Sequence, residues 1–113
     1  MKARNLRTGA ELSNNIDLAD DLFNRMKGLL GKCEMGKGDS LWIKHCMSIH
    51  TFFMRFSIDV IFMNKKNQVV AVRKNLKPYR VTCLYPKATS VLELPAGTIE
   101  ATSTEVGDEI EFF

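Results

Sequence analysis

No stretch of this 113-residue chain is apolar for long enough to span a bilayer. The best candidate, Cys46 to Met63, is broken by Arg55 and Asp59, charges that a membrane helix of roughly 18 apolar residues rarely carries, so no membrane partner is expected. The opening residues, MKARNLRTGA, have charge but no apolar block behind them, which argues against a secretory signal and makes the cytoplasm the expected location. Cysteine is sparse: Cys33, Cys46 and Cys83 are odd in number and match no Cys-x-x-Cys spacing, so no disulfide framework is expected and free buried thiols are. The glycine-rich dinucleotide and P-loop patterns, the HExxH zinc-protease pattern and the serine nucleophile elbow are all missing, and no cofactor is expected. There is no internal repeat and no low-complexity segment.

Acid is also missing from one long region. Between Val60 and Leu92 stand seven bases, Lys65, Lys66, Arg73, Lys74, Lys77, Arg80 and Lys87, and no Asp or Glu; from Glu93 to the end stand six acids and no base. Cancellation across neighbouring strands is the simpler outcome; a basic patch is the other. With Tyr79 and Tyr85 nearby, the basic 65–87 segment could serve as a single-strand nucleic-acid platform. The pI of 8.8 lies below the footprint of a dedicated binder, so nucleic acid is the lesser reading.

What the chain does contain is an ordinary globular composition, 45% hydrophobic and 26% charged, in one domain spanning residues 1–113. The stretch from Cys46 to Met63 alternates. Phe52, Met54, Phe56, Ile58, Val60 and Phe62 fall on one face, with Arg55, Ser57 and Asp59 in a row on the other. That period of two predicts an interior strand, or two collinear ones. Further strands are expected over Ala3–Thr8, Glu11–Ile16, Leu41–Ile43, Gln68–Arg73, Tyr79–Leu84, Ser90–Leu94 and Glu109–Phe113, with a hairpin turn at Asn64–Asn67, a basic loop at Lys74–Pro78 and a short helical turn within Thr98–Thr104. Leu18, Leu22, Phe23, Met26, Leu29 and Leu30 share a helical stripe, with Asp17 placed as N-cap and Gly28 and Gly31 at the stop. The fold expected is mainly β (α+β): an antiparallel β-sandwich or partly open barrel of about 7–8 short strands, with one amphipathic helix (about 18–30) packed on it.

Several blocks run in a single order along nearly the whole chain. They are Arg25 with Gly28-Leu29-Leu30-Gly31; Cys46-x-Ser48-Ile49-His50-Thr51-x-x-Met54-Arg55-Phe56-x-Ile58-Asp59-Val60-x-Phe62; Asn75-Leu76-Lys77-Pro78-Tyr79-Arg80-Val81; Val91-Leu92-Glu93-Leu94-Pro95-Ala96-Gly97; and Gly107-Asp108. In these the chain resembles the domain of unknown function 192 family, with Ser57 standing where the pattern has proline. The resemblance implies a β-rich, sandwich-like fold with a helix alongside, and it implies no particular activity.

The residues that could carry chemistry cluster in the central stretch. Cys46 and His50, with Asp59 as the orienting group, could form a thiol or acid-base site; on one continuous strand, however, residues four apart lie about 13 Å apart, so a turn would be needed. Cys46 and His50 joined by His45, Cys33 or Cys83 could hold zinc, but only one ligand pair is closely spaced, and no metal site is expected. Asp59, between Ile58 and Val60, must be hydrogen-bonded or paired, either as a loop anchor or in a pocket. Glu93 is expected to face solvent or pair with the basic segment. Pro95-Ala96-Gly97 is expected to end a strand. The expected function is therefore a small-ligand or protein-binding accessory module, with no catalytic residue assigned, a polar cleft near Cys46, His50, Arg55 and Asp59, and His50, Thr51, Met54, Arg55 and Asp59 as the expected ligand-binding residues. A small enzyme built on Cys46, His50 and Asp59 is the rival.

Overall fold

A computed structural model describes residues 1–19, 35–51 and 54–113. Among these, eight strands and one short helix follow in the order β1 (Ala3–Asn5), β2 (Glu11–Ser13), β3 (Asn15–Ala19), β4 (Asp39–Lys44), β5 (Ile58–Met63), β6 (Val69–Leu76), β7 (Ser90–Pro95), α1 (Thr98–Thr102) and β8 (Ile110–Phe112). They form a three-stranded sheet, β2-β1-β8, and a five-stranded sheet, β3-β4-β7-β5-β6. Every pairing is antiparallel except β3 with β4. Neither sheet closes into a barrel. The architecture is the expected β-rich sandwich.

Alternation along the strands builds the two core layers. Ile58, Val60 and Phe62 of β5, Leu41 and Ile43 of β4 and Val91 of β7 belong to one buried cluster, shared with Cys46, Ile49 and Met54. Ile61 and Met63, with Leu92 and Leu94, belong to a second, which Ala3, Leu12 and Ile110 of the small sheet complete. The five-stranded sheet is thus covered on both faces, and every residue of β5 is buried. Burying one such aliphatic side chain contributes about 1.5–3 kcal/mol, so β5 and β7 anchor the fold. The hairpin from β5 to β6 turns where expected. Asn64 Oδ1 accepts the amides of Lys66 and Gln68, and Asn67 takes the left-handed conformation (φ 60°) that such turns favour. The chain's ends are joined through β1 and β8, which pair Ala3 with Phe112 and Asn5 with Ile110.

Four expectations change. The alternating Cys46–Met63 stretch becomes a strand only from Ile58. His45 (φ 57°) turns the chain out of β4, and residues 46–51 then run beside residues 79–85, joined by backbone hydrogen bonds such as Thr82 N–H to the Ile49 carbonyl and Tyr85 N–H to the Met47 carbonyl, with one isolated bridge at His50 and Val81 in place of a strand ladder. Tyr79–Leu84 is likewise no strand, because Tyr79 itself is left-handed (φ 61°). Lys74 and Asn75, expected in a loop, belong to β6. Asp17, expected as a helix N-cap, sits inside β3 opposite Leu41; Leu18 and Ala19 close that strand, and the rest of the expected helix, 20–30, lies outside the described residues.

Candidate functional site

Asp59 lies in the middle of β5, 1% exposed. Its neighbours Ile58 and Val60 belong to the first core layer, so alternation turns its carboxylate to the other face. There Oδ1 accepts the Asn75 amide at 2.8 Å, and Oδ2 accepts the amides of Gly97 at 3.1 Å and Ile99 at 2.8 Å. Gly97, the N-cap residue before helix α1, is left-handed (φ 97°) and has no side chain to cap the first turn. Asp59 supplies the missing cap from a neighbouring strand, satisfying donors that a helix start leaves open. It thereby fixes the Pro95–Ile99 turn to the sheet.

The other residues singled out from sequence occupy different surroundings. Cys46 is 9% exposed, and its thiol donates to the Ser48 carbonyl at 2.8 Å. Met54 shares the core layer of Cys46. Thr51 is wholly buried. Its hydroxyl donates to the Lys77 carbonyl at 2.6 Å and accepts the Arg80 amide at 2.8 Å, clamping the 77–80 loop. His50 is half-buried at the bridge to Val81, and Arg55 is exposed. The structure therefore brings Cys46 and Met54 together and places Asp59 behind the opposite face of the sheet. Cys83 is exposed; hydrogen bonding to its side chain is the main cause that pushes the Tyr85 phenol above its ordinary value. Among the described residues, no group of three or more His, Cys, Asp or Glu is placed to hold a metal ion. Glu93, expected to face solvent or pair with the basic segment, is wholly buried between Leu41 of β4 and Val60 of β5.

A second carboxylate organises the small sheet. Asp108 accepts Asn5 Nδ2 at 2.9 Å, Arg7 Nε at 2.6 Å and the Glu105 amide at 2.8 Å. The Arg7 side-chain hydrogen bond is the chief cause that holds its carboxyl well below the usual range.

The turn that Asp59 fixes forms one wall of a groove of about 670 Å³, within the size range of small-molecule sites. Pro95, Gly97, Thr98 and Ala101 form that wall; Leu12, Ser13 and Asn14 face it, and Met35, Lys37 and Gly38 close one end. Apolar surface from Leu12, Met35, Pro95 and Ala101 meets a polar rim carrying Lys37 and Glu11. The Gly38 carbonyl accepts Ser13 Oγ and the amides of Asn14 and Asn15, so the facing wall is tied down as well. Reading the sequence did not single out these residues. Pro95-Ala96-Gly97 was the one visible signal, and a strand-ending turn shows the same three residues.

A family model described as DUF192, Uncharacterized ACR, matches residues 4–112. The chain belongs to the DUF192 family. Its curated relatives include UPF0127 protein PF1050 of Pyrococcus furiosus, 35% identical with 96% of this chain and 95% of that protein covered. A UPF0127 protein of Thermococcus sibiricus is 31% identical, covering 96% of this chain and 72% of its own length. Among solved structures, this DUF192 chain superposes on a Sinorhizobium meliloti protein whose name proposes a transcription regulator (TM-score 0.80, 19% identity, 97% and 89% of the two chains). It also superposes on a protein of unknown function from Novosphingobium aromaticivorans (TM-score 0.76, 18% identity, 99% and 93%). At those identities the likeness establishes a shared fold and nothing about activity. Among the described residues, no helix is long and apolar enough to cross a membrane.

Proposed function

We propose that this DUF192 protein is a binding module that takes a small amphipathic molecule in the groove between β2 and α1. The observation that carries this reading is the groove itself, whose walls are pinned by Asp59 on one side and by the Gly38 carbonyl on the other. A pre-formed concave site with an apolar body and a few rim charges suits a ligand that is itself apolar with a charged end. Lys37 would meet an acidic end. Asp59 acts here as a positioning residue, because its carboxylate is engaged by backbone amides. A thiol enzyme is less well supported, since Cys46 is buried with its thiol on a carbonyl and Asp59 lies across the sheet from it.

Anilinonaphthalene sulfonate, an apolar dye with one anionic group, tests the reading. It should bind saturably with enhanced fluorescence. Ala101→Trp, which fills the groove from an exposed position of α1, should weaken binding about tenfold, and Lys37→Glu by about threefold to tenfold. Dye binding untouched by both variants would remove the groove as the site.

A further inference from the structure

We infer that the end of the sandwich around the β5–β6 turn is a second site, which binds an anion bearing two or more phosphate groups. Two hollows lie there, of about 450 and 400 Å³, and both include Lys65 and Thr89, so they adjoin as one trough. Lys44 borders one half, and Lys66 and Lys87 the other; no Asp or Glu lines either. Glu109, whose backbone bridges Gln68, lines neither hollow.

Among the described residues, no ion pair neutralises these lysines. The described residues carry ion pairs from Arg4 to Glu111, from Arg7 to Glu105 and Asp108, and from Lys74 to Glu100. Only the last joins the basic segment to the acidic C-terminal one. Three of the six C-terminal acids are drawn to the two N-terminal arginines, and Lys44, Lys65, Lys66 and Lys87 carry no ion pair among the described residues. Uncompensated like charges around a concavity raise the local potential and favour a multiply charged anion over a single one.

The trough has a fixed frame and spare donors. The Asn64 side chain ties the turn that carries Lys65 and Lys66, and the Thr89 amide donates to the Met63 carbonyl at 2.8 Å. Trp42 stacks on Phe112 with ring centroids 3.7 Å apart, and Lys44 Nζ lies 4.9 Å from the Trp42 ring centre. Ser90 is 5% exposed, and neither its hydroxyl nor the Trp42 indole N–H makes a hydrogen bond to any described residue, although both residues line the Lys44 half. Buried donors of this kind are ordinarily satisfied, and here both belong to residues that line the hollow a ligand would fill. A single-stranded nucleic acid fits less well, because stacking needs open aromatic faces. Trp42 is engaged by Phe112 and Lys44, Tyr85 packs on Phe62 at 4.4 Å, and Tyr79, though exposed, lines neither hollow.

The site shares no residue with the groove between β2 and α1, so either can fail without the other. Inorganic tripolyphosphate, titrated against the full chain by calorimetry and amide NMR, tests it. Saturable one-site binding is expected, with shifts confined to residues 64–67, 87–90 and the Trp42 indole. It should weaken as salt rises from about 20 mM to about 200 mM, and orthophosphate should bind about tenfold or more weakly. Lys65→Glu with Lys87→Glu, both at exposed positions, should reduce affinity about tenfold or more at unchanged melting temperature, while Lys74→Glu should leave it unchanged. Vesicles containing phosphatidylinositol phosphate, compared with the free headgroup, then separate a lipid source from a soluble one. Three results would each overturn the assignment: no saturable binding, binding indifferent to the double variant, or displacement of tripolyphosphate by oligothymidylate with an affinity that grows with strand length.

Discussion

Replacing Asp59 by alanine removes one carboxylate and strands three backbone N–H groups, those of Asn75, Gly97 and Ile99. The three are not equal. Ile99 is wholly buried, so its amide finds no water and should cost about 1–3 kcal/mol. Asn75 and Gly97 are exposed residues whose amides can be hydrated in part, and each loses about 1 kcal/mol net. The sum, about 3–5 kcal/mol, is a large share of the 5–15 kcal/mol typical of a domain. Asp59→Asn keeps one accepting oxygen but turns an NH₂ toward N–H donors, and should cost about 2 kcal/mol. Urea unfolding measures both. With m of about 1–3 kcal/mol/M, alanine should lower the midpoint by about 2 M and asparagine by about 1 M, with m unchanged. If Asp59 served chemistry instead of holding the Pro95–Ile99 turn, removing it would be neutral or stabilising. A midpoint shift below about 0.3 M for the alanine variant would refute the capping role, and with it the account of how the groove wall is fixed.

Other outcomes follow from the same geometry. Asp108 is held below its ordinary value by Arg7, so its contribution is fully present above the unfolded carboxylate pKa of about 3.9 and is lost as pH falls toward the lower folded value. Melting temperature should therefore drop steeply below about pH 4, and Asp108→Asn, less stable at neutral pH, should show a flatter acid limb; parallel curves would contradict this. Gly38 is left-handed (φ 87°), and a Cβ there would come within 2.6 Å of Asn14 Oδ1; Gly38→Ala should cost about 1–3 kcal/mol in thermal or urea unfolding. Iodoacetamide followed by mass spectrometry should label exposed Cys83 well before buried Cys46. Rapid, selective alkylation of Cys46 would reopen the thiol-enzyme reading.

The parts of the fold legible from sequence are those with local causes. The β5–β6 hairpin shows as alternation on either side of a polar Asn64–Asn67 turn, and β7 as a short apolar run stopped by Pro95. Asp59 could be read only as a buried acid in need of partners. Its partners come from residues 75, 97 and 99, and no periodicity reports such distant pairing. Residues 46–51 and 79–85 have strand-like composition, yet His45 and Tyr79 take left-handed conformations that composition does not signal. Asp17 has the chemistry of a helix cap, but parallel pairing of β3 with β4 places it in a strand. Glu93 alternates like a surface residue; burial of the sheet on both faces takes it inside. The basic 65–87 segment stood between two alternatives, cancellation or patch; among the described residues Arg4 and Arg7, far away in the chain, pair with Glu111, Glu105 and Asp108, and of the basic segment Lys74 alone pairs with a C-terminal acid.

The pairing of Ala3–Asn5 with Ile110–Phe112 has a consequence for the order of assembly. During synthesis the first strand leaves the ribosome long before its partner exists, so one edge of its backbone stays open until the last strand emerges. Closing so large a loop is entropically late, and the apolar residues Ala3 and Leu12, which cover Leu92 and Leu94 in the finished fold, have to wait in water meanwhile. The small sheet is thus the final clasp on an already formed five-stranded body, and nascent chains stalled before residue 110 should be the form most prone to stick to one another.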